Sequence, residues 1–475
     1  MFRLFSCLTS NAFSRVDGCA LISRSGLASL LVVTLLLQSC VTYEAKPLDT
    51  TQSLASVEGR TLNDSGLQEF LSAHGSEIGA HAGKWGLPEL TLAALYFHPD
   101  LAAARAEQNA AEASLKQAEE RPNPSVNLSP GYNATSTGIS PWILTTALDF
   151  PLELHGKRSL RRKGAEQSVE ASRWRLAETG WQTRQHLRES MLTLYAAERT
   201  RDLLVDQETL QAEIAALLEG KRKAGESSAF EASLARLGLS QTRLALHETE
   251  RRAAVARVRL AEAVGVSSAA LDAVRLDFTA FEKRDTQLDQ AEARRRALSN
   301  RADILAALAD YAATEQSLQL EIANQYPDIN LGPGYELDQT DNKWSLGLTL
   351  ELPLLNQNRG KIAEAIAARE LAAAKFQQVQ MAALAEIDAA VVNLKGARKT
   401  TQTARKILDE VEHEAETTRK MKDAGALERA ELLQRDLEVS ASQLALIDAE
   451  ISEQEAVGLL ENALQTPATA LPASF

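Results

Sequence analysis

The sequence predicts a mainly α fold with a small membrane β-barrel part, built from one helix–strand–strand–long helix–helix unit that occurs twice. Three observations predict it. Trp142 to Pro151 (WILTTALDFP) and Trp344 to Pro353 (WSLGLTLELP) both alternate with a period of two and lie 202 residues apart. The stretch from Arg158 to Arg222 has no proline and a continuous helical composition, far more than a globular core needs. Landmarks of the first half then return in the second at an offset of 200 to 203, the signature of a duplicated unit.

The strands carry the strongest signal. Trp344, Leu346, Leu348, Leu350 and Leu352 fall on one side of the second stretch, with Ser345, Gly347, Thr349 and Glu351 on the other. In the first, Trp142, Leu144, Thr146, Leu148 and Phe150 oppose Thr145, Ala147 and Asp149. A face with Trp at one end and aliphatic residues below it suits lipid, and a face with hydroxyls and a carboxylate suits water. Taken singly, either stretch also reads as a soluble strand with one wet face. The repeat and the long helices favour the membrane reading.

At the amino terminus, Arg3, Arg15 and Arg24 precede an apolar run from Leu27 to Leu37, too short to span a bilayer and the length of a signal-peptide core. The run ends in Leu37-Gln38-Ser39-Cys40, which resembles a bacterial lipoprotein signal. Residues 1–39 are then removed and Cys40 carries a covalent lipid, the only attached group expected. Cys7 and Cys19 lie inside the removed segment, so no disulfide framework competes for Cys40. Residues 40–86 are polar and read as a lipid-anchored tether. The net charge of −13 excludes a generally basic nucleic-acid binder.

The first repeat, 87–275, opens with helical pieces that meet at His98-Pro99-Asp100, because proline starts a helix but disrupts its interior. Strands follow at about 124–133 and 142–151, then the long helix, a tip turn at 224–228 and a returning helix. The second repeat, 284–465, places its strands at about 327–337 and 344–353 and its tip turn at 424–427, with 466–475 as a tail. Ser125 to Tyr132 (SVNLSPGY) corresponds to Asp328 to Tyr335 (DINLGPGY), and Ala224-Gly225 to Ala424-Gly425.

Four strands cannot close a barrel, and an open sheet edge in lipid leaves N–H and C=O groups unpaired at several kcal/mol each. Three copies give twelve strands and leave a water channel, whereas eight strands are filled by side chains. The duplicated unit, the Pro-Asn-Pro entry to the first strand, Pro151 to Arg158 (PLELHGKR) and the Ala-Gly turns resemble the TolC-type outer-membrane efflux factors, in particular the lipoprotein branch with the heavy-metal efflux channels. The resemblance covers about residues 87–465. It implies a homotrimer whose twelve-stranded β-barrel in the outer membrane continues as a long α-helical barrel across the periplasm. It also implies docking to a periplasmic adaptor and, through it, to an inner-membrane pump of the RND type. Metal cations or small organic compounds are the implied cargo. Type I protein secretion is the alternative, with a periplasmic adaptor lipoprotein behind it.

Candidate functional residues follow from these readings. Trp142, Trp344, Leu346, Leu348 and Leu350 form the expected lipid-facing belt. Asp149 and Glu351 are candidate lumen carboxylates, as cation-favouring groups or as solvated wall. Gly225 and Gly425 suit the positive φ of a sharp helix reversal. Glu231 and Glu431 stand six residues after those glycines. Ser228 with Glu231 fits a capping box, while the resemblance places such acids at the periplasmic aperture, where they pair with basic residues to form a gate. Arg419, Lys420, Lys422 and Asp423 are candidate partners. The sequence shows no phosphate-binding loop, no catalytic triad and no metal cluster, so no enzymatic activity and no cofactor are expected.

Overall fold

A computed structural model describes residues 43–74, 83–135, 138, 140–282 and 290–466. The chain forms two compact units, residues 1–55 and 56–475. In the first, residues 43–49 have no regular structure and Thr50 opens helix α1 (Thr50–Glu58), with Asp49 accepting from the Thr51 N–H at 2.9 Å. Cys40 and the signal segment lie outside the described residues.

The second unit opens with α2 (Ser65–Ala73), capped by Asp64, whose carboxylate accepts from the Leu67 N–H at 3.0 Å. A two-residue strand β1 (Lys84–Trp85) follows, then α3 (Leu87–Phe97) and α4 (Pro99–Glu119). Pro99 occupies the first turn of α4, so the break expected at His98-Pro99 is present. The polar composition of residues 40–86 concealed a structural part. Leu62, Leu67, Leu71 and Trp85 are buried in the main core with Leu90, Leu187, Met191, Leu260, Val264 and Phe281. The described residues 60–74 and 83–86 therefore contribute to the core instead of forming only a tether.

Strands β2 (Ser125–Tyr132) and β3 (Trp142–Leu152) lead into α5 (Lys157–Ala224), whose 68 residues extend about 100 Å at 1.5 Å each. Helix α6 (Ala229–Val264) returns, and α7 (Ser268–Asp272), β4 (Arg275–Leu276) and α8 (Thr279–Glu282) complete the half. Strand β4 pairs parallel with β1. The second half repeats the plan with α9 (Gln290–Asn300), α10 (Ala302–Ala323), β5 (Ile329–Asp338), β6 (Asp341–Leu350), α11 (Arg359–Asp423) and α12 (Arg429–Leu464). No described helix is long and apolar enough to cross a membrane.

The four long strands form one antiparallel sheet in the order β2-β3-β5-β6, leaving one edge of β2 and one of β6 unpaired. The helices keep the same sequence across the unit. Helix α5 packs on α6 and α12, and α11 packs on α12, while α4, α5, α10 and α11 are neighbours in that order. Each strand-to-helix junction turns through a left-handed residue, His155 and Gly156 before α5 and Asn358 before α11. Asn358 holds its turn by donating to the Glu321 carbonyl at 2.8 Å and carboxylate at 2.7 Å.

Strand β6 differs from expectation at both ends. The second hairpin turns on Gln339 and Thr340 alone, with Gln339 at φ 60°, so Asp341, Asn342 and Lys343 join the ladder. The ladder closes at Ile329↔Leu350 because β5 begins there and offers no further partner. Strand β6 thus starts three residues before Trp344, and Glu351 and Pro353 lie beyond it.

Candidate functional site: the two-faced sheet and the hairpin tips

Residues directly opposite in an antiparallel ladder share a face, so the register sorts the whole sheet. Val126↔Leu148, Leu128↔Thr146, Pro130↔Leu144 and Tyr132↔Trp142 share one side of the first hairpin. Ile329↔Leu350, Leu331↔Leu348, Pro333↔Leu346 and Tyr335↔Trp344 share the same side of the second, and Leu144↔Leu337, Phe150↔Leu331 and Leu152↔Ile329 join the two. This face is apolar apart from Thr146 and Asn342 and open to solvent in the single chain, with Trp344 at 82 %, Leu346 at 71 % and Leu348 at 65 % exposure. All five belt residues, Trp142, Trp344, Leu346, Leu348 and Leu350, lie on it.

Four aromatics close one end of the face. Tyr132 meets Trp142 edge-on at 5.2 Å, and Tyr335 lies 4.9 Å from Trp344. Such a row matches the aromatic girdle that borders the apolar band of a membrane barrel. Tyr132 ends β2 and Tyr335 lies within β5, and only the register places them beside Trp142 and Trp344.

The opposite face is polar. It carries Ser125↔Asp149, Asn127↔Ala147, Ser129↔Thr145 and, in the second hairpin, Asn330↔Thr349, Gly334↔Ser345 and Glu336↔Lys343. Asp149 therefore shares this face, at the end away from the aromatic row, whereas Glu351 has left the ladder and is exposed on the way to α11. More charge sits at the aromatic end than the sequence reading assigned. Lys343 Nζ lies 3.2 Å from Glu336 Oε1 and 2.6 Å from Asp338 Oδ2, and Thr145 Oγ1 donates to Glu336 Oε2 at 3.4 Å.

The tips are built by local rules. Gly225 (φ 81°) and Gly425 (φ 75°) take the left-handed conformation that reverses each hairpin. Glu231 completes a capping box with Ser228. Its N–H donates to Ser228 Oγ at 3.1 Å, while its carboxylate accepts from the Ser227 hydroxyl at 2.7 Å and the Ser228 N–H at 2.9 Å. The hydroxyl and the amide hold this carboxyl below its ordinary range. Glu431 lies in the first turn of α12, where Glu428 is the N-cap without a side-chain cap bond.

The expected basic partners are engaged elsewhere. Arg419 pairs with Asp436 at 3.0 Å, Lys420 with Glu416 at 2.8 Å and Lys422 with its neighbour Asp423 at 3.4 Å. Asp436 comes from the returning helix, Glu416 from the i,i+4 position and Asp423 from the next residue. At the tips, Lys221 with Glu428 and Arg429 with Glu213 at 2.8 Å cross between the hairpins. The carboxylate of Glu428 raises the Lys221 ammonium above its ordinary value.

Away from the tips, a buried network joins the repeats. Arg184 NH2 lies 3.0 Å and Arg188 Nε 3.5 Å from Glu461 Oε2, all three groups being nearly inaccessible. Arg188 also donates to the Gln454 carbonyl at 2.7 Å and to Gln454 Oε1 at 3.0 Å. Burial lowers the Arg188 guanidinium from its ordinary value, with Glu461 opposing that shift. Among the described residues no group of three or more His, Cys, Asp or Glu could hold a metal ion.

Known proteins share this architecture. The cobalt-zinc-cadmium resistance protein CzcC of Cupriavidus metallidurans is 26 % identical over 270 residues, 56 % of this chain and 62 % of that protein. The match thus spans less than two thirds of that relative. A membrane protein of Pseudomonas aeruginosa superposes with a TM-score of 0.67 at 20 % identity, over 89 % of this chain and 99 % of that one. The outer membrane protein VceC of Vibrio cholerae gives 0.67 at 18 % identity, over 81 % and 97 %. Both likenesses show the fold. Residues 90–266 and 283–465 match the outer membrane efflux protein family, which is most of the chain, and the chain belongs to that family.

Proposed function

We propose that this chain is the outer-membrane exit duct of a tripartite efflux system. The observation that carries the reading is the sheet, mostly apolar across four strands on one face, mostly polar on the other, and unpaired at both edges. Lipid tolerates such a face but not such edges. Strands alternate in direction along β2-β3-β5-β6, so β6 of one copy and β2 of the next run antiparallel and can pair. Three copies close a twelve-stranded ring around a wet lumen. The long helices continue below it as a tube toward a periplasmic adaptor, which links the duct to an inner-membrane pump of the RND type.

Cys40 would carry the lipid that anchors the amino terminus in the same membrane. The likeness to a cobalt-zinc-cadmium resistance protein supports divalent metal cations as cargo, selected by the pump. Glu231 and Glu431 remain proposed aperture residues, with Glu231 also capping its own helix.

The test is fractionation of cells expressing the full chain. Sodium-carbonate-washed outer membranes should retain it, detergent should release a three-chain species, and that species should conduct ions in a planar bilayer. Recovery as a single copy in the soluble periplasmic fraction would overturn the reading.

A further inference from the structure

In a closed ring the sheet β2-β3-β5-β6 meets itself where β6 of one copy reaches β2 of the next, and the internal repeat holds a template for that contact. The two hairpins match residue for residue. Val126↔Leu148 and Tyr132↔Trp142 in the first become Ile329↔Leu350 and Tyr335↔Trp344 in the second, with β5 offset from β2 by 203 and β6 from β3 by 202. Strand β6 is thus the equivalent of β3, and β2 the equivalent of β5. The β3-β5 contact inside the chain is then the image of the β6-β2 contact between chains.

Carrying the β3-β5 register across by these offsets names the partners. Thr146↔Tyr335 becomes Leu348↔Tyr132, Phe150↔Leu331 becomes Leu352↔Leu128, Pro151↔Asn330 becomes Pro353↔Asn127, and Leu152↔Ile329 becomes Leu354↔Val126. The faces agree, since Leu348, Leu352 and Leu354 alternate onto the apolar side and meet Tyr132, Leu128 and Val126 of that same side. A slip of one residue would turn every side chain of one strand to the wrong face. Exposure points to the same contact. Phe150 and Leu152 rest on β5 alone, because β2 begins opposite Asp149, and they are 38 % and 46 % exposed. Their equivalents Leu352 and Leu354 have no such neighbour in the single chain and are 62 % and 78 % exposed. There the Leu354 N–H turns back to the Leu352 carbonyl at 2.8 Å, the local bond of a strand end without a partner.

We propose that β6 of one copy and β2 of the next pair in this register, and that the pairing draws residues 351–354 out of their turn and into the barrel wall. This rests on the trimeric duct proposed above. It sets Glu351 on the polar face at the level of Asp149, its equivalent in the first repeat. Each repeat then supplies one carboxylate to the end of the lumen away from the aromatic row, and the second arrives only when a neighbouring copy is present.

The test is cysteine bridging of the full chain in washed outer membranes under a mild oxidant, read on non-reducing denaturing gels. Directly opposite residues lie about 4.5–5.5 Å apart at Cα and diagonal ones about 7–8 Å, while a disulfide closes only below about 7 Å. Leu352→Cys with Leu128→Cys, and Pro353→Cys with Asn127→Cys, should each give a three-chain band. Adjacent pairs alternate between the two spacings of an antiparallel ladder, so the two together cover both. Phe150→Cys with Leu331→Cys, the template pair, should bridge within one chain and sets the rate to expect. Leu352→Cys with Val126→Cys or with Pro130→Cys, displaced by two residues either way, should bridge severalfold more slowly. Singly substituted chains should give no three-chain band. The register is overturned while the duct stands if a displaced pair bridges faster than Leu352 with Leu128, or if neither named pair bridges in a protein that detergent still releases as a three-chain species. Recovery as a single, non-conducting copy removes the duct, and the seam with it.

Discussion

Gly458 explains a position that no local rule predicts. It sits inside α12, four residues after Gln454, where an alanine would suit the helix better by propensity alone. A Cβ there would stand 2.3 Å from Arg188 NH1. The missing side chain lets the guanidinium reach the Gln454 carbonyl across the helix surface while its ring-facing side lies over Phe281. Gly458→Ala should therefore destabilise the fold despite its better helix propensity. Loss of a buried charged hydrogen bond sets the scale at about 1.5–3 kcal/mol, read as a lower midpoint in thermal melting of the helical circular dichroism signal. An unchanged midpoint would mean that Arg188 finds another partner. The two residues stand 270 positions apart, so periodicity, which reports only neighbours a few residues away, could not reveal them.

Among the elements, the strands were readable and their limits were not. The period of two assigned Leu346 and Leu348 to the apolar face and Ser345 to the polar one, and the register agrees. The expected start at Trp344 differs from the observed Asp341 because Asp341, Asn342 and Lys343 have the composition of a loop. They enter the ladder only because a two-residue turn brings them opposite Asp338, Leu337 and Glu336. The faces can be tested against one another. On the lipid side of a barrel an arginine near the midplane costs about 2–4 kcal/mol, and on the lumen side little. Leu346→Arg should therefore reduce the detergent-resistant trimer, and Ser345→Arg, one residue away, should leave it intact on native gels. Equal loss from both would mean that the sheet is enclosed by protein on both faces.

For the whole molecule, the segment before the first repeat matters more than its composition suggests. Arg60 donates to the Phe97 carbonyl at 3.0 Å and the Gly265 carbonyl at 2.9 Å, closing the ends of α3 and α6. In the second half Arg301 caps the end of α12 through the Ala463 carbonyl at 2.8 Å. The equivalent position in the first half is His98, so the guanidinium arrives instead from outside the repeat. Arg60→Ala should cost about 1.5–3 kcal/mol, and denaturant titration should detect it as a lower midpoint. Both bonds leave one nitrogen, NH1, so Arg60→Lys, whose ammonium also carries several donors but lacks the guanidinium plane that lies over Phe97, should recover part of it. In the sequence Arg60 is one arginine in a polar stretch, and only the fold gives it two carbonyls. The unequal hairpins have a last consequence for how cells bearing this protein would be seen by an immune system. One connection has two residues and the other, 133–141, has nine with no charged side chain among them. In the trimeric duct proposed above, serum raised to the longer connection should stain intact cells more strongly than serum raised to the Gln339-Thr340 turn.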